Sequence, residues 1–389
     1  MAIHRAAAAF RHLSRRLLSS TRAAASPRLL GHFHQPGSMV CNFDYESPTP
    51  PPAPIAPCFE PLAAAASPRL LSLDFLPVDT SRFTLYDSRH GLLVLFLRTR
   101  IGGPHILVCD PVSRRRALLP PPPLAVAAEA GALIGPALLS RAAGGFEFEV
   151  VCLTVDAARR PRALVASVRD GDCSWRVLPR SGDAEIGFDP HWLERQCVHA
   201  AGSLYWHICN SHSALALDPT TMEFSYRRAP AILLAEHGFP KFRFGEMPDD
   251  GRLCVGALEN EVLWLCVQGK GSGDGWVLEE KICMNKVLDL VPGLPKHPMG
   301  RTYTTMLDDI DAGRTGKVFI KSLGFGFYSY HLDTGKLDRL VTDEGRDYGS
   351  PIFAYFSTTD GWRLPAGRTG EVLCFTSQLA CLGLWIMYR

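Results

Sequence analysis

Short apolar runs separated by turn residues fill the chain between about residue 70 and residue 356. Typical runs are residues 91–97, 203–208 and 317–321, and clusters of glycine, proline, asparagine and aspartate lie between such runs. Helical periodicity is rare after residue 70, and its best example is residues 124–133. Because a parallel sheet needs crossover helices between its strands, this pattern predicts an all-β fold.

Three segments repeat one plan: a small-residue turn, two apolar strands, a tight turn and a third strand of mixed polarity. They are residues 90–120, 201–230 and 315–341. Each tight turn opens with an aspartate, and these are Asp110, Asp218 and Asp333. Aspartate suits the first position of a turn because its carboxylate accepts a hydrogen bond from a backbone N–H further along the chain.

Two looser copies bring the number of repeats to five. Residues 146–179 place their turn around Asp170, and residues 261–284 place theirs around Glu279 and Glu280. Successive turns are roughly 50 to 60 residues apart, close to the period of kelch repeats. We therefore expect a kelch-like β-propeller of five or six blades. A two-sheet sandwich, which also has regular short strands, is the alternative.

The chain divides into four predicted parts. They are a basic helix over residues 1–25, a proline- and alanine-rich lead-in and linker over 26–69, the propeller over 70–360, and an atypical apolar tail over 361–389. A sixth blade is expected to combine residues 351–356 with the early strand 70–76. The tail is short and polar in its middle, whereas a spanning helix needs about 20 mostly apolar residues. We therefore expect no contact with a membrane.

The N-terminal segment is basic and has two interpretations. Residues 1–43 contain six arginines and no aspartate or glutamate. The side chains of Phe10, Leu13, Leu17 and Leu18 recur at helical spacing, which predicts a short amphipathic helix. The same composition is typical of a mitochondrial transit peptide. A mitochondrial location is therefore the alternative to a cytoplasmic or nuclear one.

Composition narrows the class of protein further. Hydrophobic residues make up 47% of the 389 residues, enough for a large buried core. The 41 basic and 39 acidic residues leave a formal charge of +2, which gives no reason to expect a nucleic-acid partner. The 12 cysteines stand singly, without a C-x-x-C pair. We expect free thiols in a reduced cytoplasmic or nuclear compartment rather than disulfides or a zinc knuckle.

Motifs for catalysis or cofactor binding are weak. The glycine-rich residues 269–275 lie between two predicted strands with no helix after them, so they indicate a hairpin loop rather than a phosphate loop. Three histidines, His199, His207 and His212, are close in sequence but have no second cluster to complete a metal site. Neither G-x-S-x-G nor H-E-x-x-H occurs. We expect a protein that is not an enzyme and that uses no cofactor or metal.

Trp192 and His191 are the candidate partner-binding residues. Both lie in the predicted loop 189–193, and tryptophan is enriched at the hot spots of interfaces, which concentrate on loops. The alternative is that the indole of Trp192 packs locally. The expected partner is a target protein that the sequence does not identify.

Three short motifs carry a resemblance to a known family. They are SPRLLGHFH at residues 26–34, DSRHGLL at 87–93 and VCDPVSR at 108–114. In this order they resemble the F-box-associated β-propeller proteins that are abundant in plants, especially grasses. The resemblance covers about residues 26–356.

The resemblance implies a protein-recognition module, the substrate-receptor part of an SCF ubiquitin ligase. In such proteins the propeller loops bind a target, and an F-box binds the adaptor Skp1. The chain departs from the family before residue 26, because an L-P-x-E start is missing and residues 10–18 resemble only the last F-box helix. The alternative function is a stand-alone scaffold or decoy that binds a target without recruiting the ligase.

We predict that this chain binds Skp1 weakly or not at all. Residues 1–25 supply one short helix, which is marginal in water and must become ordered on binding. Its stripe of Phe10, Leu13, Leu17 and Leu18 is small beside a standard interface of about 800 Å² per partner. Titration with purified Skp1 at near-physiological salt tests this. Submicromolar affinity that Leu17→Asp abolishes would show that the segment works as an F-box.

Overall fold

Within the described residues, twenty-four strands form six sheets in a computed structural model of the chain. Those residues are 28–36, 56–62, 71–76, 82–97, 105–122, 130–142, 145–179, 184–209, 211–233, 241–269, 275–302, 304–356 and 372–373. The α-helices among them are three short pieces: α1 (Asn285–Leu288), α2 (Pro298–Thr302) and α3 (Ala312–Thr315). No helix in this part of the chain has the length and apolar character to cross a membrane. The predicted all-β fold is confirmed.

The strands follow one another around a central axis. The first two in the chain are β1 (Leu29–His34) and β2 (Cys58–Pro61), which belong to blade 6. Blade 1 contains β3 (Thr84–Arg89), β4 (Leu92–Leu97), β5 (His105–Asp110) and β6 (Arg115–Leu119). Blade 2 contains β7 (Ala130–Arg141), β8 (Phe148–Asp156), β9 (Pro161–Arg169) and β10 (Asp172–Val177). Blade 3 contains β11 (Leu193–Ala200), β12 (Ser203–Ile208), β13 (Ser213–Asp218) and β14 (Glu223–Arg228).

The second half of the ring repeats the arrangement. Blade 4 contains β15 (Phe242–Glu246), β16 (Leu253–Glu259), β17 (Val262–Gln268) and β18 (Trp276–Cys283). Blade 5 contains β19 (Thr305–Asp311), β20 (Lys317–Ser322), β21 (Gly326–His331) and β22 (Leu337–Leu340). Blade 6 combines β23 (Ile352–Phe356) with β1 and β2, and β24 (Val372–Leu373) pairs in parallel with β6. The fold is a six-bladed β-propeller, as the repeats predicted.

Each of blades 1 to 5 is an antiparallel meander whose first strand is innermost. The innermost strands β3, β7, β11, β15, β19 and β23 lie next to their counterparts in other blades, in pairs such as β3 with β7 and β15 with β19. All six side chains of β4, LLVLFL, are buried. A strand buried on both faces has a continuous apolar run instead of an alternating one.

One hydrophobic cluster fills each interface between neighbouring blades. The smallest lies between blades 5 and 6 and consists of Phe319, Phe327, Leu340, Tyr348 and Ile352. The ring of His32 packs edge-on against Phe319, with centroids 5.9 Å apart. Burial lowers the pKa of His32 to about 4, so this imidazole is neutral and packs as an aromatic ring.

The aspartate turns join the third and fourth strands of blades 1, 3 and 5, at the places where the sequence predicts turns. The carboxylate Oδ1 of Asp218 accepts hydrogen bonds from the backbone N–H of Thr220 at 2.7 Å and of Thr221 at 3.4 Å. For blade 4 the predicted turn is wrong, because Glu279 and Glu280 lie within β18. β18 is the outermost strand of its blade, and its polar residues mimic a turn.

Helical periodicity also misleads at residues 130–133, which belong to β7 rather than to a helix. The backbone of this segment pairs with β8, for example Leu133 with Thr154. A local preference is weaker than a ladder of backbone hydrogen bonds to a neighbouring strand. Residues 124–129 of the same stretch lie outside the described residues.

Blade 6 is assembled from both ends of the chain. β23 pairs with β1, and β1 pairs with β2, so the propeller reaches back to Leu29. This differs from the expected pairing of residues 351–356 with 70–76, and places two strands inside the expected lead-in of residues 26–69. The apolar side chains of Leu71, Leu73 and Leu76 are instead buried in the cluster between blades 6 and 1.

Gln35 fastens blade 6 to blade 1. Its Nε2 donates to the carbonyl oxygen of Phe83 at 3.0 Å, and its Oε1 accepts from the N–H of Leu85 at 2.9 Å. The amide is 1% exposed, so both bonds form away from water. A Cβ at Gly349 would lie 1.9 Å from the carbonyl oxygen of Gln35, which explains the glycine at this close approach.

A buried carboxylate, that of Asp87, links blades 1, 2 and 3 near the axis. Oδ2 accepts from the N–H of Leu138 at 2.7 Å and from Nε2 of His199 at 2.9 Å, and Oδ1 accepts from the N–H of Ser88. Burial opposes ionisation of Asp87, but His199 and Arg89 outweigh it and lower the pKa of this carboxyl. Removing one partner of such a buried, fully bonded carboxylate destabilises the fold by about 3–5 kcal/mol.

Arg243 links blades 3, 4 and 5 in a similar way. Its Nη1 and Nη2 each lie 3.0 Å from a carboxylate oxygen of Glu194, and its Nε donates to the carbonyl oxygen of Asp308 at 2.6 Å. Burial opposes the charge of Glu194, yet Arg243 and Lys241 lower the pKa of Glu194 to about 2. The two-pronged pair fixes the mutual orientation of β11 and β15.

Blade 5 contributes two further polar side chains near the axis of the ring, Arg314 and Asp309. Nη2 of Arg314, on α3, donates to the carbonyl oxygen of Ala354 at 2.6 Å, and Nη1 donates to that of Ser88 at 3.3 Å. On β19, burial and the neighbouring carboxylate of Asp311 raise the pKa of Asp309 to about 7. This carboxyl therefore holds its proton more tightly than in the unfolded chain.

Two other predicted segments lie outside the described residues. They are the N-terminal helix over residues 1–25 and the tail over 361–389, apart from β24.

We predict that Asp218→Ala lowers the free energy of unfolding by about 0.5–2 kcal/mol, because two backbone N–H groups of the turn lose their acceptor. Chemical denaturation measures this. Asp218→Asn keeps an acceptor oxygen and serves as the control, for which we expect the smaller change. Equal midpoints for wild type and Asp218→Ala would contradict the role of this turn.

We predict that Asp309→Asn becomes more stable relative to wild type as the pH rises from about 4 to about 7. In the unfolded chain the carboxyl ionises near pH 4, whereas in the folded chain its pKa is about 7. The wild type therefore loses stability across this window, by on the order of 3 kcal/mol. Urea denaturation across this pH range, with exposed Asp172→Asn as control, measures it. A difference independent of pH would refute the raised pKa.

Candidate functional site

A groove between blades 3 and 4 is the candidate interaction site. It encloses about 440 Å³. Its lining comes from β14 and the residues after it and from the ends of β16, β17 and β18: Tyr226, Arg227, Arg228, Ala229, Pro230, Ala231, Leu253, Gln268 and Trp276. We call this surface the blade 3–4 groove.

Stacked rings support the groove from beneath. The rings of Tyr205 on β12 and Phe244 on β15 stack across the interface with centroids 4.9 Å apart. Phe244 also contacts Trp276, at 6.2 Å between centroids. The Nε2 atom of His207 accepts from the N–H of Phe244 at 3.0 Å, and burial lowers the pKa of His207 to about 3. The indole of Trp276 is therefore held on a packed, uncharged base.

The rim of the blade 3–4 groove exposes both apolar and cationic side chains. Tyr226 is 39% exposed, and its hydroxyl donates to the carbonyl oxygen of Glu185 at 2.9 Å. Arg228 is exposed on the same strand. Ile232, in the connection after β14, and Val277, on β18, are each 53% exposed. Exposed aromatic, aliphatic and arginine side chains at one place are typical of surfaces that bind other proteins.

The predicted contact residues Trp192 and His191 lie in a 3₁₀ turn, Pro190–Trp192, just before β11. The Asp189 carboxylate caps this turn by accepting from the N–H of His191 at 3.0 Å. The indole of Trp192 is 47% exposed, and neither residue lines the blade 3–4 groove. Their role in binding remains a prediction.

Of the three histidines considered for a metal, His199 and His207 do not converge. His199 bonds to Asp87, and His207 bonds to the backbone of Phe244, each in a different blade interface. A different group, His34, Cys58 and Glu60, brings its ligand atoms within 4.8 Å of one another. No local sequence pattern indicates this group, because its members come from two strands of the expected lead-in.

Hydrogen bonding argues against a metal at His34. Its Nδ1 accepts from the N–H of Gly349 at 3.1 Å, which requires the proton of the neutral ring to sit on Nε2. Nε2 is the atom that faces Cys58, 3.1 Å away, and Glu60, 3.9 Å away. Burial lowers the pKa of His34 to about 4 and raises that of Cys58 to about 12. The ring is therefore a donor to its neighbours, as in a structural hydrogen bond.

Sequence reasoning also missed the groove residues Tyr226, Arg228 and Trp276. The signal available was the strand EFSYRR, in which Tyr226 and Arg228 are exposed at the edge of a blade. The groove itself depends on two blades meeting, which no local pattern shows. The proposed Skp1-facing residues Phe10, Leu13, Leu17 and Leu18 lie outside the described residues.

Comparison with solved structures shows a distant likeness to several of them. The β-propeller domain of Myceliophteria_thermophila Cps50 (Swd1) is 12% identical, over 68% of this chain and 73% of that one, with a TM-score of 0.31. AztD from Citrobacter koseri is 14% identical over 71% and 62% of the two chains, with a TM-score of 0.32. TolB from Acinetobacter baumannii is 10% identical over 71% and 63%, with a TM-score of 0.34. Such low values carry no information on function.

No curated protein matches the sequence. A protein family does: residues 84–297 match the one described as F-box protein AT5G49610-like, beta-propeller. The match covers more than half of the chain and includes blades 1 to 4, and it confirms the resemblance that the motifs at residues 87–93 and 108–114 indicated. The chain belongs to this family of F-box-protein-like β-propellers.

Proposed function

We propose that the propeller is a protein-recognition module that acts as the substrate-receptor part of a ubiquitin ligase. The observation that carries the proposal is the blade 3–4 groove, where Tyr226, Arg228 and Trp276 meet on a rigid base. These three residue types dominate the hot spots of protein interfaces. Membership in an F-box-protein-like family supports the same reading.

The geometry suits a protein better than a small metabolite. Exposed apolar side chains also lie near the groove, because Ile232 and Val277 follow its lining residues Ala231 and Trp276 in the chain. A standard interface buries about 800 Å² per partner around a central anchor. The groove offers a site for such an anchor, and the exposed outer strands β14 and β18 offer the surrounding surface.

We also propose that the chain is not an enzyme. The buried ionisable side chains near the axis, among them Asp87, His199, Glu194 and Arg243, bond to one another and to backbone atoms of neighbouring blades. Their charges and hydrogen bonds therefore serve to join blades. Catalytic acids and bases instead need access to a substrate within hydrogen-bond reach.

We propose further that the chain recruits the ligase through Skp1. The alternative is a scaffold or decoy that binds the target without recruiting the ligase. The two differ in one measurable property, because a receptor forms a ternary complex with Skp1 and the target, whereas a decoy binds the target alone. Size-exclusion chromatography of the three purified proteins separates these outcomes. A fluorescent fusion separates the proposed cytoplasmic or nuclear location from a mitochondrial one.

We predict that Trp276→Ala lowers the affinity for the target at least about tenfold, since truncating a hot-spot residue costs about 2 kcal/mol or more. Targets captured by the full chain are purified and titrated against wild type and variant by calorimetry. The matched control is Trp175→Ala, which removes a half-buried tryptophan from the outermost strand of blade 2. Melting temperatures confirm that both variants are folded.

Equal affinities for wild type and Trp276→Ala would remove the blade 3–4 groove from the recognition surface. Equal losses in Trp276→Ala and Trp175→Ala would show a general effect on the fold.

A further inference from the structure

We propose that the outer edge of blade 1 binds an extended aliphatic segment of a partner protein as an added parallel strand, and that β24 of this chain occupies the same edge until the partner displaces it. We call the side of β6 (Arg115–Leu119) that faces away from β5 the blade 1 edge. It belongs to a different blade from the blade 3–4 groove, so the inference does not depend on that groove.

The pairing of β24 shows that the blade 1 edge accepts a strand from outside its own blade. Val372 pairs with Arg116 and Leu373 with Ala117, in parallel register. Every other pair among the described strands is antiparallel. Blade 1 is also the only five-stranded sheet in the described part of the chain. The meander of blade 1 ends at β6, so β24 is an addition to that sheet.

The backbone of β6 is the part that binds the added strand. The side chains of Ala117 and Leu119 are buried in the cluster between blades 1 and 2, and Leu118 packs against the cluster between blades 6 and 1. What β6 offers at its edge is therefore a row of N–H and C=O groups. Such a row is a template for a further strand, and backbone hydrogen bonds supply the affinity when a peptide adds to a sheet.

The two arginines at the start of β6 contact residues on opposite faces of the blade. The guanidinium of Arg115 lies over the ring of Phe146, 5.1 Å from its centroid. On the other face, Nη1 of Arg116 donates to the carbonyl oxygen of Phe75. These contacts direct both side chains towards the neighbouring blades, and the pairing with β24 shows that a strand reaches the backbone beside them.

The register with β24 indicates which residues a partner segment carries. Paired residues of neighbouring strands lie on the same face of a sheet. A partner residue opposite Arg116 would lie on the face that holds Leu118, and one opposite Ala117 on the face that holds Leu119. Both faces therefore present an apolar side chain two residues further along β6. A valine and a leucine hold these positions in β24, so we infer a partner segment with two consecutive aliphatic residues.

The short length of β24 makes it displaceable. Only 2 residues of β24 pair with β6, which is 5 residues long. A partner segment that pairs along all of β6 would form more backbone hydrogen bonds than β24 does. β24 has the advantage of belonging to the same chain, and such tethering corresponds to an effective concentration on the order of millimolar. The internal strand therefore excludes weak ligands and yields to stronger ones.

The probe is a fluorescein-labelled peptide with the sequence of residues 369–376 and the change Cys374→Ser. A second peptide carries N-methyl groups on its valine and its leucine, which removes two backbone donors and keeps both side chains. Fluorescence polarisation measures the affinity of each peptide for the full chain. The chain is used as wild type and as the double variant Val372→Pro, Leu373→Pro, in which proline removes the same two donors from β24.

We expect the unmethylated peptide to bind the proline variant at least about tenfold more tightly than the wild type, because β24 no longer competes for the edge. The methylated peptide should bind the proline variant at least about tenfold more weakly than the unmethylated one. The control is the double variant Val372→Ile, Leu373→Ile, which keeps the donors and the aliphatic character and should match the wild type. Thermal melting shows that each variant is folded.

Hydrogen–deuterium exchange locates the bound peptide. Amides of residues 115–119 should exchange faster in the proline variant than in the wild type and should be protected again when the peptide is added. Exchange in β14, the outermost strand of blade 3, should stay the same.

Five results would overturn the inference. They are equal affinity of the unmethylated peptide for wild type and proline variant, equal affinity of the two peptides, protection at an edge other than that of blade 1, and no binding to the proline variant at millimolar peptide. The fifth is a dimer of the wild type that the proline variant loses in size-exclusion chromatography, since β24 would then pair with β6 of a second copy.

Discussion

A carboxylate that cannot reach water, that of Asp87, constrains the whole centre of the ring. Its two oxygens take hydrogen bonds from blade 1, from blade 2 through Leu138 and from blade 3 through His199. An unpaired charge at this depth is too costly to keep, so these three blades must meet in one arrangement. Arg243, which is also buried and paired, joins blades 3, 4 and 5, and Arg314 bonds to backbone carbonyl oxygens of blades 1 and 6. Hydrophobic clusters supply the adhesion between blades, and these buried charges determine their orientation.

This division of roles leaves the rim of the propeller available for the proposed recognition of a partner. Side chains near the axis form hydrogen bonds between blades, so substituting one of them disturbs the ring. Side chains of the outermost strands make fewer contacts between blades, and Arg228 on β14 is an exposed example. Loops and outer strands can vary while the centre stays fixed, which is how one scaffold presents different surfaces.

The sequence predicts most of the ring and little of the groove. Turn aspartates such as Asp218 bond to their own turns, so their signal is local and readable. Blade 6 is different, because β1 and β23 pair across nearly the whole chain. The sequence pattern of neither strand indicates which strand it pairs with. The same holds for Tyr226 and Trp276, which are 50 positions apart and become neighbours only when blades 3 and 4 pack. What depends on long-range pairing could not be predicted from periodicity.

The assembly of blade 6 from both ends also affects how the protein is made. On a ribosome, β1 and β2 emerge first, and β23, the strand that β1 pairs with, emerges more than 300 residues later. At usual synthesis rates that interval is roughly 15–60 s. During it the nascent chain carries an unpaired strand edge, a template for wrong pairings between copies. The ring can therefore close only after β23 has left the ribosome.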